Sequence, residues 1–204
     1  HTPIISPDGQ KIVYVHEGQL WLRNLSDVQP AALAGTDGGT QAFWSPHSNA
    51  IGYFKQDEPT QRYAIHKFDI QSGISIPLCE LPENTSPESA TWRTSGEILY
   101  SLIDASGTQG RLYLVSEFGG ISRLVLEPDT AGKDTGYHYP TAMSDGQAFI
   151  YATVNDEQVG ELIYRQEETD RVLVRHPGEE ISRTVFTRDR FIIYQRGVGD
   201  NQSL

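Results

Sequence analysis

The chain has 204 residues, 37% apolar and 10% aromatic, and a net charge of −11. This composition suits one large folded domain or two small ones and excludes a disordered chain, and no apolar run approaches the roughly 20 residues that span a bilayer. Strong acidity excludes direct contact of this segment with nucleic acid, and insertion into or adhesion to anionic lipid, because both need Lys and Arg against phosphate.

The single cysteine, Cys79, allows no internal disulfide and no Cys-based metal cluster. The chain begins at His1 rather than Met, so a processed or truncated piece is expected, with a signal or membrane anchor upstream.

The first element is announced by Ser6-Pro7-Asp8-Gly9, followed by the alternating run Lys11-Ile12-Val13-Tyr14-Val15. Proline presets φ at the first corner, Asp bonds back to the backbone, and Gly accepts a positive φ. Paler copies begin at Trp44, Trp92, Met143 and Phe186. Each copy ends in a tyrosine, Tyr14, Tyr53, Tyr100, Tyr151 or Tyr194, at spacings of 39, 47, 51 and 43 residues. Two residues before each Tyr stands Ile12, Ile51, Ile98, Phe149 or Ile192. Positions i and i+2 of a strand face one way, so each copy is a strand with a paired apolar and aromatic face. The turn glycine is kept at Gly96 and Gly146 but replaced by Ser48 and Arg190, which predicts a wider or differently shaped turn in those two copies.

Further signals follow in fixed order. After each Tyr comes a polar loop and a second run, at 19–25, 63–70, 111–118 and 161–166. A turn follows, Ser26-Asp27, Ser72-Gly73, Gly119-Gly120 or Thr169-Asp170, and then a third run. A variable loop leads to a short apolar stretch before the next turn, such as Ala42-Phe43-Trp44. This makes four strands per unit with no helical period. A tandem four-stranded unit of this length is a β-propeller blade.

The expected fold is therefore all-β, a β-propeller of four-stranded antiparallel blades in a single partial domain. Blades are placed over about 1–34, 41–81, 89–126 and 139–175, with the start of a fifth over 181–204. Closed propellers carry roughly four to eight blades. Four and a half imply a fragment of a larger, six- to eight-bladed ring, or a partner over the open faces, including self-association through open edges. Trp44 and Trp92 end innermost strands and are expected to wedge between neighbouring blades.

Catalytic patterns are missing from the sequence. Gly73-Ile74-Ser75-Ile76-Pro77 and Gly120-Ile121-Ser122-Arg123-Leu124 both lack the second glycine of a serine-hydrolase elbow. There is no Walker loop and no kinase His-Arg-Asp. The six histidines are scattered without metal-pair spacing. No catalytic residue, metal or cofactor is expected.

What remains is polar loops gathered on one rim, carrying Asp37, Asp57, Asp104, Asp129, Asp134 and Asp156. Hard cations favour clustered carboxylates, but a solvated negative rim is the favoured reading. The long loop over 127–139 ends in Tyr137-His138-Tyr139 and combines aromatics with a titratable group near the channel mouth. Tyr137, His138, Tyr139, Asp129 and Asp134 are the expected contacts for a ligand or protein partner.

Ser6-Pro7-Asp8-Gly9, then KIVYV, then QLWLRNL from Gln19, resembles the propeller repeats of the Tol-system protein TolB. The whole chain resembles still more the propellers of bacterial signalling proteins. There a propeller follows a membrane-spanning helix, in eukaryotic-type Ser/Thr kinases or in membrane-anchored winged-helix transcription regulators. The residues that carry this are LWLRNL followed by FWSPHSNAIGYF, His138-Tyr139-Pro140 before Asp145-Gly146, and RFIIYQRG near the end. The resemblance implies a non-catalytic, extracytoplasmic sensory module tethered through an upstream helix. Two alternatives stay open. One is the gating propeller of a peptidase related to prolyl oligopeptidase. The other is a self-standing propeller enzyme with a metal or sugar site.

Overall fold

The structure, a computed structural model, describes residues 3–107, 109–128, 134–155, 159–187, 190–198 and 201–203. The regular elements among these residues are all β-strands. Sheet one holds β1 (Ile4–Ile5), β2 (Lys11–His16), β3 (Gln19–Asn24) and β4 (Ala31–Ala32). Sheet two holds β5 (Gly39–Trp44), β6 (Ala50–Gln56), β7 (Tyr63–Asp69) and β8 (Ile74–Glu80). Sheet three holds β9 (Thr85–Trp92), β10 (Glu97–Asp104), β11 (Gly110–Ser116) and β12 (Arg123–Leu126). Sheet four holds β13 (Asp134–Ala142), β14 (Phe149–Asn155), β15 (Val159–Gln166) and β16 (Thr169–Pro177). Sheet five holds β17 (Glu180–Phe186), β18 (Ile192–Val198) and β19 (Asn201–Ser203). Within each sheet the strands pair in chain order and antiparallel. The all-β, blade-like architecture read from the repeat is the one that forms.

The turn between the first two strands has the same hydrogen bond in every sheet. The N–H of Gly9 donates to Ser6 O at 2.8 Å, Ser48 to Ser45 O at 3.0 Å, and Gly96 to Arg93 O at 3.1 Å. Gly146 donates to Met143 O at 3.2 Å and Arg190 to Thr187 O at 3.0 Å. The donor residue is left-handed each time, with φ of 71°, 57°, 82°, 76° and 66°. The different turn expected at Ser48 and Arg190 is thus corrected. Strand pairing on both sides imposes the turn, and the non-glycine residue bears the strain, on the order of 1 kcal/mol. Ser48 also accepts the Asp8 N–H on its hydroxyl at 3.1 Å. In the first copy Asp8 accepts from the Ser6 hydroxyl at 2.5 Å and the Gln10 N–H at 3.0 Å. Those bonds, Ser6 first, hold its carboxyl down at about 2.

The strands pack as two compact units. One comprises the residues up to Asn84 with Val115–Ser122, the other Thr85–Leu114 with Arg123 onward. In the first unit, Val13 and Leu20 of sheet one pack with Trp44, Ile51, Tyr53 and Phe68 of sheet two. Trp44 fills this seam as a wedge, and its indole N–H donates to Ile4 O at 3.2 Å. The hairpin tip at 115–122 belongs to the same unit, where Gly120 N–H donates to Leu78 O at 3.2 Å.

The second unit has two seams. Phe149 and Tyr151 lie against Leu99, Leu112 and Leu114 of sheet three. Ile150, Ala152 and Leu162 lie against Ile181, Ile192 and Tyr194 of sheet five. One rule covers all three seams. The tyrosine face of a sheet covers the sheet before it, and the residue just before the tyrosine turns to the sheet after it. Period-two alternation puts those two residues on opposite faces. Removing both faces from water is the driving force, roughly 1.5–3 kcal/mol per large apolar side chain.

Candidate binding site on the innermost strands

The first strand of a sheet carries a bulge in four of the five sheets. The register skips between Thr40 and Phe43 in β5, and between His138 and Thr141 in β13. It skips between Ser182 and Val185 in β17, and in β9 between Ser89 and Pro87, the partners of Ser101 and Leu102. The residues so displaced include Gln41, Glu88, Tyr139 and Arg183. Gln41, Tyr139 and Arg183 are left-handed, with φ of 46°, 50° and 47°. Bulges re-aim side chains, and a left-handed non-glycine residue there marks a place where packing over-determines the backbone.

In the second unit the bulges of β9 and β13 build one polar cluster around Glu88. Its Oε2 accepts the Ser101 hydroxyl at 3.0 Å. The His138 Nδ1 lies 3.1 Å from Oε1 and 3.0 Å from Oε2. The Tyr139 phenol donates to the same carboxylate. Ser89 and Ser101 share a hydroxyl–hydroxyl bond of 3.2 Å. A carboxylate only accepts, so Nδ1 is the protonated ring nitrogen. The Glu88 and His138 side chains are just 14% and 18% exposed.

Two glycines make room for the imidazole. A Cβ on Gly110 would lie 2.5 Å from the His138 Cε1, and one on Gly136 would lie 2.5 Å from its Nε2. The Tyr139 hydroxyl is pushed well above the usual phenol range, first by burial, then by the Glu88 charge and hydrogen bond, with Glu180 adding to it and Arg183 opposing. It is held as a neutral donor.

The residues expected from the sequence fall in three places. His138 and Tyr139 enter the cluster. Tyr137 turns to the other face of β13 and sits edge-on to Tyr151 at 5.3 Å, as part of the seam with sheet three. Asp134 is the first residue of β13, paired with Asn155, and Asp129 lies outside the described residues, as does Asp156. The expected loop over 127–139 is corrected from Asp134 onward, where β13 begins. Its polar residues find partners on a neighbouring sheet, so the strand lacks the apolar alternation that would announce it.

Glu88, Ser101, Glu180 and Arg183 escaped the sequence reading. Glu88 lies within Pro82-Glu83-Asn84-Thr85-Ser86-Pro87-Glu88-Ser89, a polar stretch with two prolines that reads as a loop, yet β9 starts at Thr85. A usable signal exists in the spacing. Glu88 stands four residues before Trp92 and Tyr139 four before Met143, while Gln41 stands three before Trp44 and Arg183 three before Phe186.

Two of the rim carboxylates cap their own turns. Asp57 accepts the Thr60 hydroxyl at 2.6 Å, and Asp104 the Ser106 hydroxyl at 2.6 Å. Among the described residues no three His, Cys, Asp or Glu side chains are grouped to hold a metal ion.

No family model matches the chain, and no curated protein matches it in sequence. Solved structures do match. The acylaminoacyl peptidase of Pyrococcus horikoshii superposes with a TM-score of 0.69 at 15% identity, over 96% of this chain and 35% of the other. TolB from Acinetobacter baumannii gives 0.66 at 13% identity, over 96% and 51%. The β-propeller domain of the Trilobed protease from Pyrococcus furiosus gives 0.65 at 14% identity, over 98% and 67%. These likenesses show the fold. The chain is a β-propeller module, and it spans 35% and 51% of the length of the first two structures.

Proposed function

We propose that this module is a non-catalytic sensory or binding propeller of a bacterial signalling or transcription-regulatory membrane protein. It works outside the cytoplasm, tethered through a membrane helix that precedes it. It takes a protein segment or small ligand beside the Glu88–His138–Tyr139 cluster.

The cluster is the observation that carries the reading. A carboxylate, an imidazole and a phenol are fixed on paired strands by mutual hydrogen bonds. Exposed Glu180 and Arg183 flank them on β17. Few, well-placed polar groups on a rigid frame are what orient a bound group. The nearby hydroxyl is not set up for attack. Ser101 donates to Glu88 rather than to an imidazole, so the nucleophile–base pairing of acyl transfer is not made there. The sequence resemblance to membrane-tethered propellers supports the cellular setting, as does the likeness to TolB.

Amide-resolved NMR titration with peptide and small-molecule libraries tests the reading. Expected are perturbations along 85–92, 137–142 and 180–184 that disappear in Glu88→Gln. Binding that perturbs only other strands would sink it.

The peptidase likenesses favour a second reading, the gating propeller of a prolyl-oligopeptidase-like serine peptidase. The coding sequence on either side separates the two. An apolar stretch of roughly 20 residues upstream supports the sensor, and a Gly-x-Ser-x-Gly elbow downstream supports the peptidase.

A further inference from the structure

The Glu88 cluster directs its hydroxyl and imidazole hydrogens inward. Ser101 donates to Glu88 Oε2 at 3.0 Å. A hydroxyl has one hydrogen, so in the 3.2 Å contact between Ser89 and Ser101 the donor is Ser89. His138 Nδ1–H and the Tyr139 phenol also end on the Glu88 carboxylate. Four hydrogens thus point at Glu88 or at the hydroxyl that bonds it. What the cluster has left to offer is lone pairs, on His138 Nε2 and on the Tyr139 and Ser89 oxygens.

Nε2 is the most available of these. It has no hydrogen-bond partner among the described residues, and it is not sealed from solvent. Glycine keeps the ring edge clear, since a Cβ on Gly136 would come within 2.5 Å of Nε2. The charges that act on the Tyr139 hydroxyl are Glu88 and Glu180 against Arg183, and Glu180 is exposed on β17. A cluster short of hydrogens, with carboxylates in excess, is complementary to a cation that brings N–H groups.

We infer that the group bound beside this cluster is a primary ammonium, donating to His138 Nε2 and attracted by the Glu88 and Glu180 carboxylates. An ammonium carries three donors on one atom and no acceptor. A carboxylate or phosphate would set its own lone pairs against those of the cluster, and its charge against Glu88 and Glu180. The net charge of −11 on the chain favours a cation at longer range as well. The inference rests on the binding reading above and adds to it the chemistry of the bound group. A lysine side chain and a chain N-terminus are the two sources of such a group.

Amide-resolved NMR titration of the whole chain tests it at about pH 7.5, above the ordinary imidazole pKa and below that of an α-amine. N-acetyl-lysine methylamide carries a side-chain ammonium, alanine amide an α-ammonium, and tetramethylammonium the charge without an N–H. At least one of the two amines is expected to shift 85–92, 137–142 and 180–184, and to move the Nε2 nitrogen signal of His138. Which of them does so identifies the source. Tetramethylammonium is expected to leave these signals in place. Glu180→Gln, on an exposed residue, is expected to weaken the amine about two- to fivefold, with circular dichroism checking its fold. No shift with either amine, an equal shift with tetramethylammonium, or unchanged affinity in Glu180→Gln overturns the inference. If uncharged or acidic library members shift these strands and the amines do not, the ammonium falls while the binding site stands. If nothing in the libraries shifts them, the site itself falls.

Discussion

Along β14, Phe149, Ile150, Tyr151, Ala152 and Thr153 are all buried, whereas along β2 Val13 is the buried residue. The two strands occupy the same place in their sheets and carry the same kind of residues. Sheet four is covered on one side through Phe149 and Tyr151 and on the other through Ile150 and Ala152. Sheet one is covered through Val13 and Leu20, while Ile5 on its other face stays largely in water. A repeat position therefore specifies what a residue can bury, and the neighbouring sheet decides what it does bury. Stability is expected to concentrate in sheet four.

The comparison is broken most directly at the tyrosines. Tyr151→Ala is expected to cost about 3–5 kcal/mol, and Tyr14→Ala about 1 kcal/mol or less. Urea denaturation of both variants measures the gap, and equal losses would erase the distinction.

Glycines sharpen it next. A Cβ on Gly136 would press on the His138 ring and the Gly110 N, and Gly136→Ala is expected to cost about 1–3 kcal/mol. Gly18, at the β2–β3 turn, has φ of 73° and nothing near its missing side chain. Gly18→Ala is expected to cost about 1 kcal/mol from backbone strain alone. A reversed order in thermal melts would contradict the packing.

The polar cluster gives a smaller effect. Glu88→Gln removes the charge but keeps an acceptor for Ser101 and His138, and about 1–2 kcal/mol is expected to be lost. Asp57→Asn, on an exposed turn, is expected to stay within about 0.5 kcal/mol.

Alkaline pH tests the same region without removing a contact. The Tyr139 hydroxyl is raised in the folded state, so its contribution is complete below the ordinary phenol pKa of about 10. Above that the unfolded chain ionises while the folded one does not. Stability is expected to fall as pH rises toward the folded value, and Tyr139→Phe to flatten that fall. Parallel pH–stability curves for the two proteins would remove Tyr139 from the cluster.

One small effect is a gain. Arg190→Gly relieves a left-handed arginine and is expected to stabilise by about 0.5–1 kcal/mol. Ser48→Gly is expected to gain less, because it gives up the bond to the Asp8 N–H.

How far the site was legible follows from the range of the forces involved. Tyr14, Tyr53, Tyr100, Tyr151 and Tyr194 were readable as second-strand residues, and they lie on β2, β6, β10, β14 and β18. A turn and a period-two run are visible within about ten residues. His138 and Tyr139 were readable as candidates for their side-chain chemistry, though not as members of a strand. Glu88 was not readable as their partner, because the bond to His138 crosses 50 positions of chain.

By itself the amino-acid sequence determined the all-β blades, the order of strands and turns, and which residues share a face. Steric limits on φ and ψ and the alternation of side chains act between near neighbours, so they leave a local record. The tertiary structure alone decided which faces are covered, why Ser48 and Arg190 adopt a glycine's conformation, and how Glu88 meets His138 and Tyr139. Burial, imposed strain and cross-sheet hydrogen bonds depend on groups brought together from distant parts of the chain, and no short stretch encodes them.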